Sequence, residues 1–312
     1  MRIFFPTGIT GEQRLHLGKM SGKSNYKQIK ILTDMMQYEN LIEKLIDLGL
    51  EEDINTGDVT TDSIIPESLN AVATMTAKQD GVISGIEVIK KVYERFQKDI
   101  VYTPYFKNGD HVKKGDVLLK IEASYPTLLK GERLSLNIFQ RMCGIATETA
   151  KYVKELEGTS TELLDTRKTA PGLRVLDKMA VKDGGGTNHR MGLYDMAMIK
   201  DNHIKMAGGI TKAVEQVRGN IPATIKIEVE TTNLAEVDEA IAAGADIIML
   251  DNMTAAQMKE AVDFIAGRAL TEASGNITAE NIREKALSGV DIISMGALTH
   301  SVQAFDISMR ID

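Results

Sequence analysis

The sequence has a single cysteine, Cys143, in 312 residues. That excludes an intrachain disulfide and fits a reducing, cytoplasmic setting. It lacks any apolar run long enough to span a bilayer. It lacks the long apolar core and small-residue cleavage site of a secretory signal. It also lacks an excess of positive charge. Against 37 Lys and Arg stand 44 Asp and Glu, giving a net charge of −7 and a pI near 5.4. A general role on nucleic acid or on a membrane surface is therefore excluded. What is there is ordinary globular composition, 43% hydrophobic and 26% charged, in a chain long enough for one large domain or two ordinary ones.

Residues 1–34 carry no steady hydrophobic period and are expected to form a disordered extension, with Met20, Met35 or Met36 as alternative starts. Helical periodicity begins at Met35 and is clearest from Tyr38 to Leu50. Residues 71–77 and 82–89 read as strands. Phe106 to Glu122 carries two turn signals, Asn108-Gly109 and Lys114-Gly115. The pattern resembles the β-turns of biotinyl and lipoyl carrier domains, but no modifiable lysine sits at a tight hairpin tip. Residues 130–156 are mostly helical.

The second half alternates short apolar strands (161–165, 197–201, 224–230, 245–251, 271–275, 290–296) with helices near 172–182, 211–218, 234–243, 255–266 and 279–288. Thr254 with Gln257 has capping-box spacing, and Asn233 with Glu236 is a looser analogue. Gly219, Gly244, Gly267 and Gly289 stand where helix C-terminal glycines belong. This alternation predicts a parallel sheet covered by helices. The units fall short of the eight of a full barrel, so an incomplete, open α/β barrel is the first expectation and a doubly wound sheet the second.

Functional groups of a barrel gather at the C-terminal ends of its strands. Here those ends read Asp165, Lys200-Asp201, Glu230, Asp251, Ser274-Gly275 and Ser294-Met295-Gly296. Polar strand ends meet water in any protein, but their recurrence at every strand favours a site. From Asp165 to Lys205 the chain carries a net charge of +3 within a total of −7. A lysine-dressed helix face accounts for Arg174, Lys178 and Lys182. It leaves Arg167-Lys168, His189-Arg190 and Lys200 to converge if the barrel closes, which implies an anionic substrate. Glu230 and Asp251, on consecutive strands, can hold Mg²⁺, bind sugar hydroxyls or stabilise a developing cation; an ion pair with a neighbouring lysine is the competing reading. Ser274-Gly275-Asn276, followed by a helix starting near Thr278, and Ser294-Met295-Gly296-Ala297, which also follows a strand, are turns suited to phosphate.

The stretch DGGGTNHR, Asp183 to Arg190, looks like a phosphate loop. It lacks the Lys-Ser/Thr of a P-loop, and its glycines are contiguous and come after a helix rather than a strand. Neither nucleotide motif fits.

Several long motifs stand in order: GERLSLNIFQRMCGIAT (131–147), TRKTAPGLR (166–174), GGGTNHRMGLYD (184–195), IKDNHI (199–204), KIEVE (226–230), LDNM (250–253), EASGNIT (272–278) and ISMGALTHS (293–301). Together they resemble the quinolinate phosphoribosyltransferases from about residue 36 to the end. The resemblance implies transfer of phosphoribosyl from phosphoribosyl pyrophosphate to quinolinate with loss of CO₂ and pyrophosphate, giving nicotinate mononucleotide for NAD synthesis, with Mg²⁺ as cofactor. It implies an N-terminal α/β sandwich domain over 35–142, joined by about 300–312, and an open α/β barrel over 143–299. It implies a homodimer in which Arg133 reaches the partner's site. Carried over residue by residue, the substrate groups are Thr166, Arg167, Lys168, His189, Arg190 and Lys200, the carboxylates Glu230 and Asp251, and the phosphate turns Ser274, Gly275, Asn276 and Ser294, Met295, Gly296, Ala297. Lys168, Lys200, Glu230 and Asp251 are the expected catalytic groups, with Arg133, Arg167, His189 and Arg190 holding quinolinate. Cys143 is expected in a helix core.

Overall fold

The computed structural model describes the backbone from Gly22 to Asp312 and the side chains from Tyr38 onward. The extension expected over 1–34 falls outside the described residues up to position 21; its last part is already helical.

The first unit runs α1 (Gly22–Asp53), α2 (Thr61–Ile64), β1 (Asn70–Ala77), β2 (Gly81–Val82), α3 (Ile86–Tyr93), β3 (Val101–Pro104), β4 (His111–Val112), β5 (Val117–Ser124) and α4 (Tyr125–Glu155). The second runs β6 (Glu162–Leu164), α5 (Arg174–Asp183), β7 (Ala197–Ile199), α6 (Asp201–Ala207), α7 (Ile210–Asn220), β8 (Ile227–Thr231), α8 (Leu234–Ala242), β9 (Ile247–Asp251), α9 (Ala255–Ile265), β10 (Leu270–Ser274), α10 (Ile282–Leu287), β11 (Ile292–Ser294) and α11 (Ala297–His300), and ends in β12 (Ile307–Ile311).

The first sheet has the order β12-β1-β5-β3, all antiparallel. Alternation sets its faces. Ala73 pairs with Ile121 and Ile311, and Met75 with Leu119 and Met309, so one face is apolar and is covered by α3 and α4. The strand expected at 82–89 is corrected. Gly85 turns the chain at φ +100, Asn108 Oδ1 accepts from the Gly85 and Ile86 N–H groups at 3.0 and 3.1 Å, and a helix begins there. Ile86, Val88, Ile89, Val92 and Tyr93 are buried, a helical stripe that a short apolar run conceals.

Ser124 caps α4 by accepting from the Thr127 N–H, with Pro126 in the first turn. This helix crosses from the first sheet to the second. At Gly144 it touches the returning C-terminal segment so closely that a Cβ would lie 2.1 Å from the Gln303 carbonyl oxygen. Cys143 is fully buried in it, and burial pushes its thiol up to about 12, so it is the core residue expected rather than a nucleophile.

The second sheet is parallel throughout, in the order β6-β11-β10-β9-β8-β7. The order runs round without reversal, and β6 and β7, neighbours in sequence, are its two edges. A doubly wound sheet needs a reversal point; this is the open α/β barrel. Thr254 and Gln257 form the reciprocal capping box, and Asn233 caps α8. Gly244, Gly267 and Gly289 come after helix ends at positive φ, but Gly219 lies inside α7, which ends at Asn220 because Ile221, preceding Pro222, is extended.

Candidate active site

Side chains from every strand of the barrel meet at its C-terminal mouth, around a cavity of about 510 Å³. Thr166, Arg167, Lys168, His189, Arg190, Lys200, Glu230, Asp251, Ser274, Gly275, Asn276 and Ser294 line it. Met295, Gly296 and Ala297 line an adjoining cavity of about 340 Å³, which shares Lys168 and the Ser274–Asn276 turn with the first. Arg133 lies in neither; it is exposed on α4.

The triple-glycine stretch sets the basic wall. A Cβ on Gly184 would lie 2.5 Å from the Ala146 carbonyl oxygen, and one on Gly186 would lie 2.8 Å from Val181 Cγ1, while Gly185 has φ +89. The glycines let the chain leave α5 pressed against α4. Asp165 then anchors Asn188 and His189. Its Oδ1 accepts from the His189 N–H at 2.9 Å and its Oδ2 from Asn188 Nδ2 at 2.6 Å. Lys178 pairs with Asp165 and donates to the His189 carbonyl at 3.0 Å. This corrects the expectation of a solvated helix face, because Lys178 and Asp165 are both buried. Burial pushes the Asp165 carboxyl up and the Lys178 ammonium down, and their contact offsets both.

Arg190 is aimed by its Nη1, which donates to the Met196 carbonyl at 2.9 Å. Burial first, then the charge of Arg167, holds Arg190 below its usual range. Arg167 itself has a buried Nε with no hydrogen-bond partner. Two guanidiniums that repel each other, one with an unpartnered donor, form a site completed by an anion.

Opposite them, Glu230 and Asp251 end neighbouring strands. Lys200 Nζ donates to Glu230 Oε2 at 2.6 Å, so the competing ion pair does form, and Asp251 Oδ2 accepts from Asn252 Nδ2 at 2.7 Å. Two carboxylates on adjacent strands facing one cavity are hard oxygen donors of the kind Mg²⁺ takes. The turns need their glycines: a Cβ on Gly275 (φ +86) would lie 2.2 Å from Asn252 Oδ1, and one on Gly296 would lie 2.7 Å from Lys168 Cδ. The helix expected near Thr278 starts only at Ile282, as α10, and α11 behind the second turn has four residues. Asn281 accounts for the late start, since its side chain takes the Thr278 N–H at 2.9 Å and closes a turn first.

Three features were missed in the sequence. Met198 and Met249 give the cavity apolar walls. His300 stands at the rim of the second cavity, 3.0 Å from where a Gly296 Cβ would be. Glu228 and Glu272 are buried beneath the mouth, and His189 Nε2 lies 3.3 Å from an oxygen of each. Period two would have found the glutamates, which precede Glu230 and Ser274 by two residues and so share their inward face.

Comparison with known proteins agrees with this fold. Residues 58–143 match the family description "Quinolinate phosphoribosyl transferase, N-terminal domain" and residues 145–310 the corresponding C-terminal domain. The chain is 42% identical to a "Probable nicotinate-nucleotide pyrophosphorylase [carboxylating]" of Bacillus subtilis, over 86% of this chain and 93% of that one. It is 43% identical to a chloroplastic nicotinate-nucleotide pyrophosphorylase [carboxylating] of Arabidopsis thaliana, over 87% and 83% respectively. The crystal structure of NadC from Streptococcus pyogenes superposes with a TM-score of 0.84 at 40% identity, covering 87% of this chain and 96% of that chain.

Proposed function

The chain belongs to the quinolinate phosphoribosyltransferase family, and from that premise we propose how its cavity transfers phosphoribosyl to quinolinate with decarboxylation in NAD biosynthesis. The observation that carries the assignment of roles is the pairing of Arg167 with Arg190 across from Glu230 and Asp251. Quinolinate is a dianion at neutral pH. Arg167 and Arg190 take its carboxylates, each charge-assisted hydrogen bond contributing about 1.5–3 kcal/mol, with the His189 ring in the same wall. Thr166 and Lys168 lie between the two cavities and face the sugar phosphate. The Ser274–Asn276 turn and the Ser294–Ala297 turn offer backbone N–H groups to phosphate oxygens.

Transfer breaks the bond from the ribose anomeric carbon to pyrophosphate and forms a bond from that carbon to the pyridine nitrogen. Positive charge builds on the sugar between the two. Glu230 and Asp251 face that charge and stabilise it electrostatically, and Lys200 meets the departing pyrophosphate. Glu230 and Asp251 would also hold Mg²⁺, which offsets the charge of the pyrophosphate. The positive charge of the new pyridinium nitrogen stabilises the electron pair left on the neighbouring ring carbon when its carboxylate departs as CO₂; a proton from solvent then takes up that pair, so no protein nucleophile is needed.

Arg133 is supplied by a second copy of the chain. Its exposure on α4, away from its own cavity, supports that reading. No described helix is long and apolar enough to cross a membrane, and the lone reduced cysteine fits the cytoplasm. The test is Arg190→Ala. It should raise the KM for quinolinate about 100-fold and leave that for phosphoribosyl pyrophosphate near its original value. Unchanged quinolinate kinetics would refute the assignment of the basic wall.

A further inference from the structure

The mechanism uses no anion below the mouth, yet two lie there. Glu228 on β8 and Glu272 on β10 are 0% and 1% exposed, and none of their four carboxylate oxygens has an aligned hydrogen bond. Burying two like charges under a site for a dianion is costly twice over: in desolvation, and in repulsion of the substrate. Their neighbours on the barrel's inner face include Met249 and Ile292, so apolar residues fit this layer. A role in folding alone would be filled better by such a residue.

What the carboxylates do meet is His189. The ring's Nε2 stands 3.3 Å from both, at ion-pair distance. Its Nδ1 stands 2.8 Å from the Arg190 N–H. The ring is therefore gripped at both edges, and the second grip is the peptide unit that carries Arg190. Asp165 holds the same residue from the backbone side. A contact at Nδ1 favours a lone pair there, while the carboxylates favour a proton at Nε2.

We propose that Glu228 and Glu272 are positioning residues for the pyridine dicarboxylate: by gripping the His189 ring they fix it, and with it Arg190, in the orientation that receives quinolinate. The proposal rests on quinolinate occupying this cavity. It makes the buried carboxylates a case of stability given up for placement of a functional group.

The experiment compares the full-length wild type with Glu272→Gln, Glu228→Gln, His189→Ala and the His189→Ala/Glu272→Gln double variant. Each is measured for quinolinate and phosphoribosyl pyrophosphate kinetics and for Tm. Glu272→Gln should raise the quinolinate KM at least about tenfold, with the other KM within about twofold and the Tm equal or higher. In the His189→Ala background the same change should cost nothing further. A lowered Tm with unchanged quinolinate KM, effects that multiply in the double variant, or a stoichiometric transition metal that is lost with His189 would each overturn the proposal. Glu228→Gln must show the same pattern, which keeps the test open if one variant does not fold. Wild type that fails to turn over quinolinate would refute the premise instead, so the two failures are distinct.

Discussion

Lys178 and Asp165 form an ion pair with side chains only 4% and 0% exposed, directly beneath the loop that presents His189 and Arg190. Asp165 also accepts the His189 N–H and the Asn188 amide. Removing one partner leaves an uncompensated buried charge. Asp165→Ala should therefore lose about 3–5 kcal/mol of stability, read by urea unfolding. Replacing both residues with apolar ones should recover much of that stability, yet leave the enzyme with poor quinolinate binding, because the loop has lost its anchor.

Gly184 makes a steric prediction. A methyl group there meets the Ala146 carbonyl oxygen at 2.5 Å, and backbone on α4 cannot step aside as a side chain would. Gly184→Ala should cost about 1–3 kcal/mol and raise the quinolinate KM, since the displaced segment carries Arg190. Gly158→Ala, whose added methyl group meets nothing within 4 Å but whose φ is +82, should show a stability loss without the kinetic effect.

The buried His189 cluster predicts a pH dependence. Burial opposes charging the ring, but Glu228 and Glu272 outweigh it and push His189 from 6.5 up to about 9. A group with a raised folded pKa adds stability that is full below its unfolded pKa and lost as pH rises through the folded value. Stability should thus fall between about pH 6.5 and 9, by roughly 2–3 kcal/mol at 1.36 kcal/mol per unit. Urea titrations across this range should show a shallower fall in His189→Ala.

Arg133 makes the partner testable. At quinolinate concentrations near the wild-type KM, Arg133→Ala and Arg190→Ala should each be nearly inactive alone. If the two variants are dissociated together and reassembled, the proposed homodimer requires that half the dimers be mixed, each with one intact site. Activity should return to about a quarter of wild type. No recovery on mixing would place Arg133 outside the partner's site.

The barrel was legible because its strands are short and apolar and alternate with helical stretches, and its mouth because strand-end residues such as Lys200, Glu230 and Asp251 stand where the β-period ends. The helix at Ile86–Tyr93 was not, because the short, mostly apolar stretch 82–89 does not fix a period, and the turn at Gly85 held by the distant Asn108 side chain sets where the helix begins. Lys178 misled because helical spacing fixes which residues share a face, not whether that face meets water or a buried carboxylate. Glu228 and Glu272 were hidden for the opposite reason: charges in a buried strand look like errors until the ring they grip is in place.

The central claim is that the basic wall takes a pyridine dicarboxylate and that one carboxylate leaves as CO₂. The most direct measurement tracks CO₂ and pyrophosphate together when the protein is mixed with phosphoribosyl pyrophosphate, Mg²⁺ and either quinolinate or nicotinate. Equimolar release with quinolinate and none with nicotinate is the predicted result. Pyrophosphate released with nicotinate, or with quinolinate but without CO₂, would contradict it.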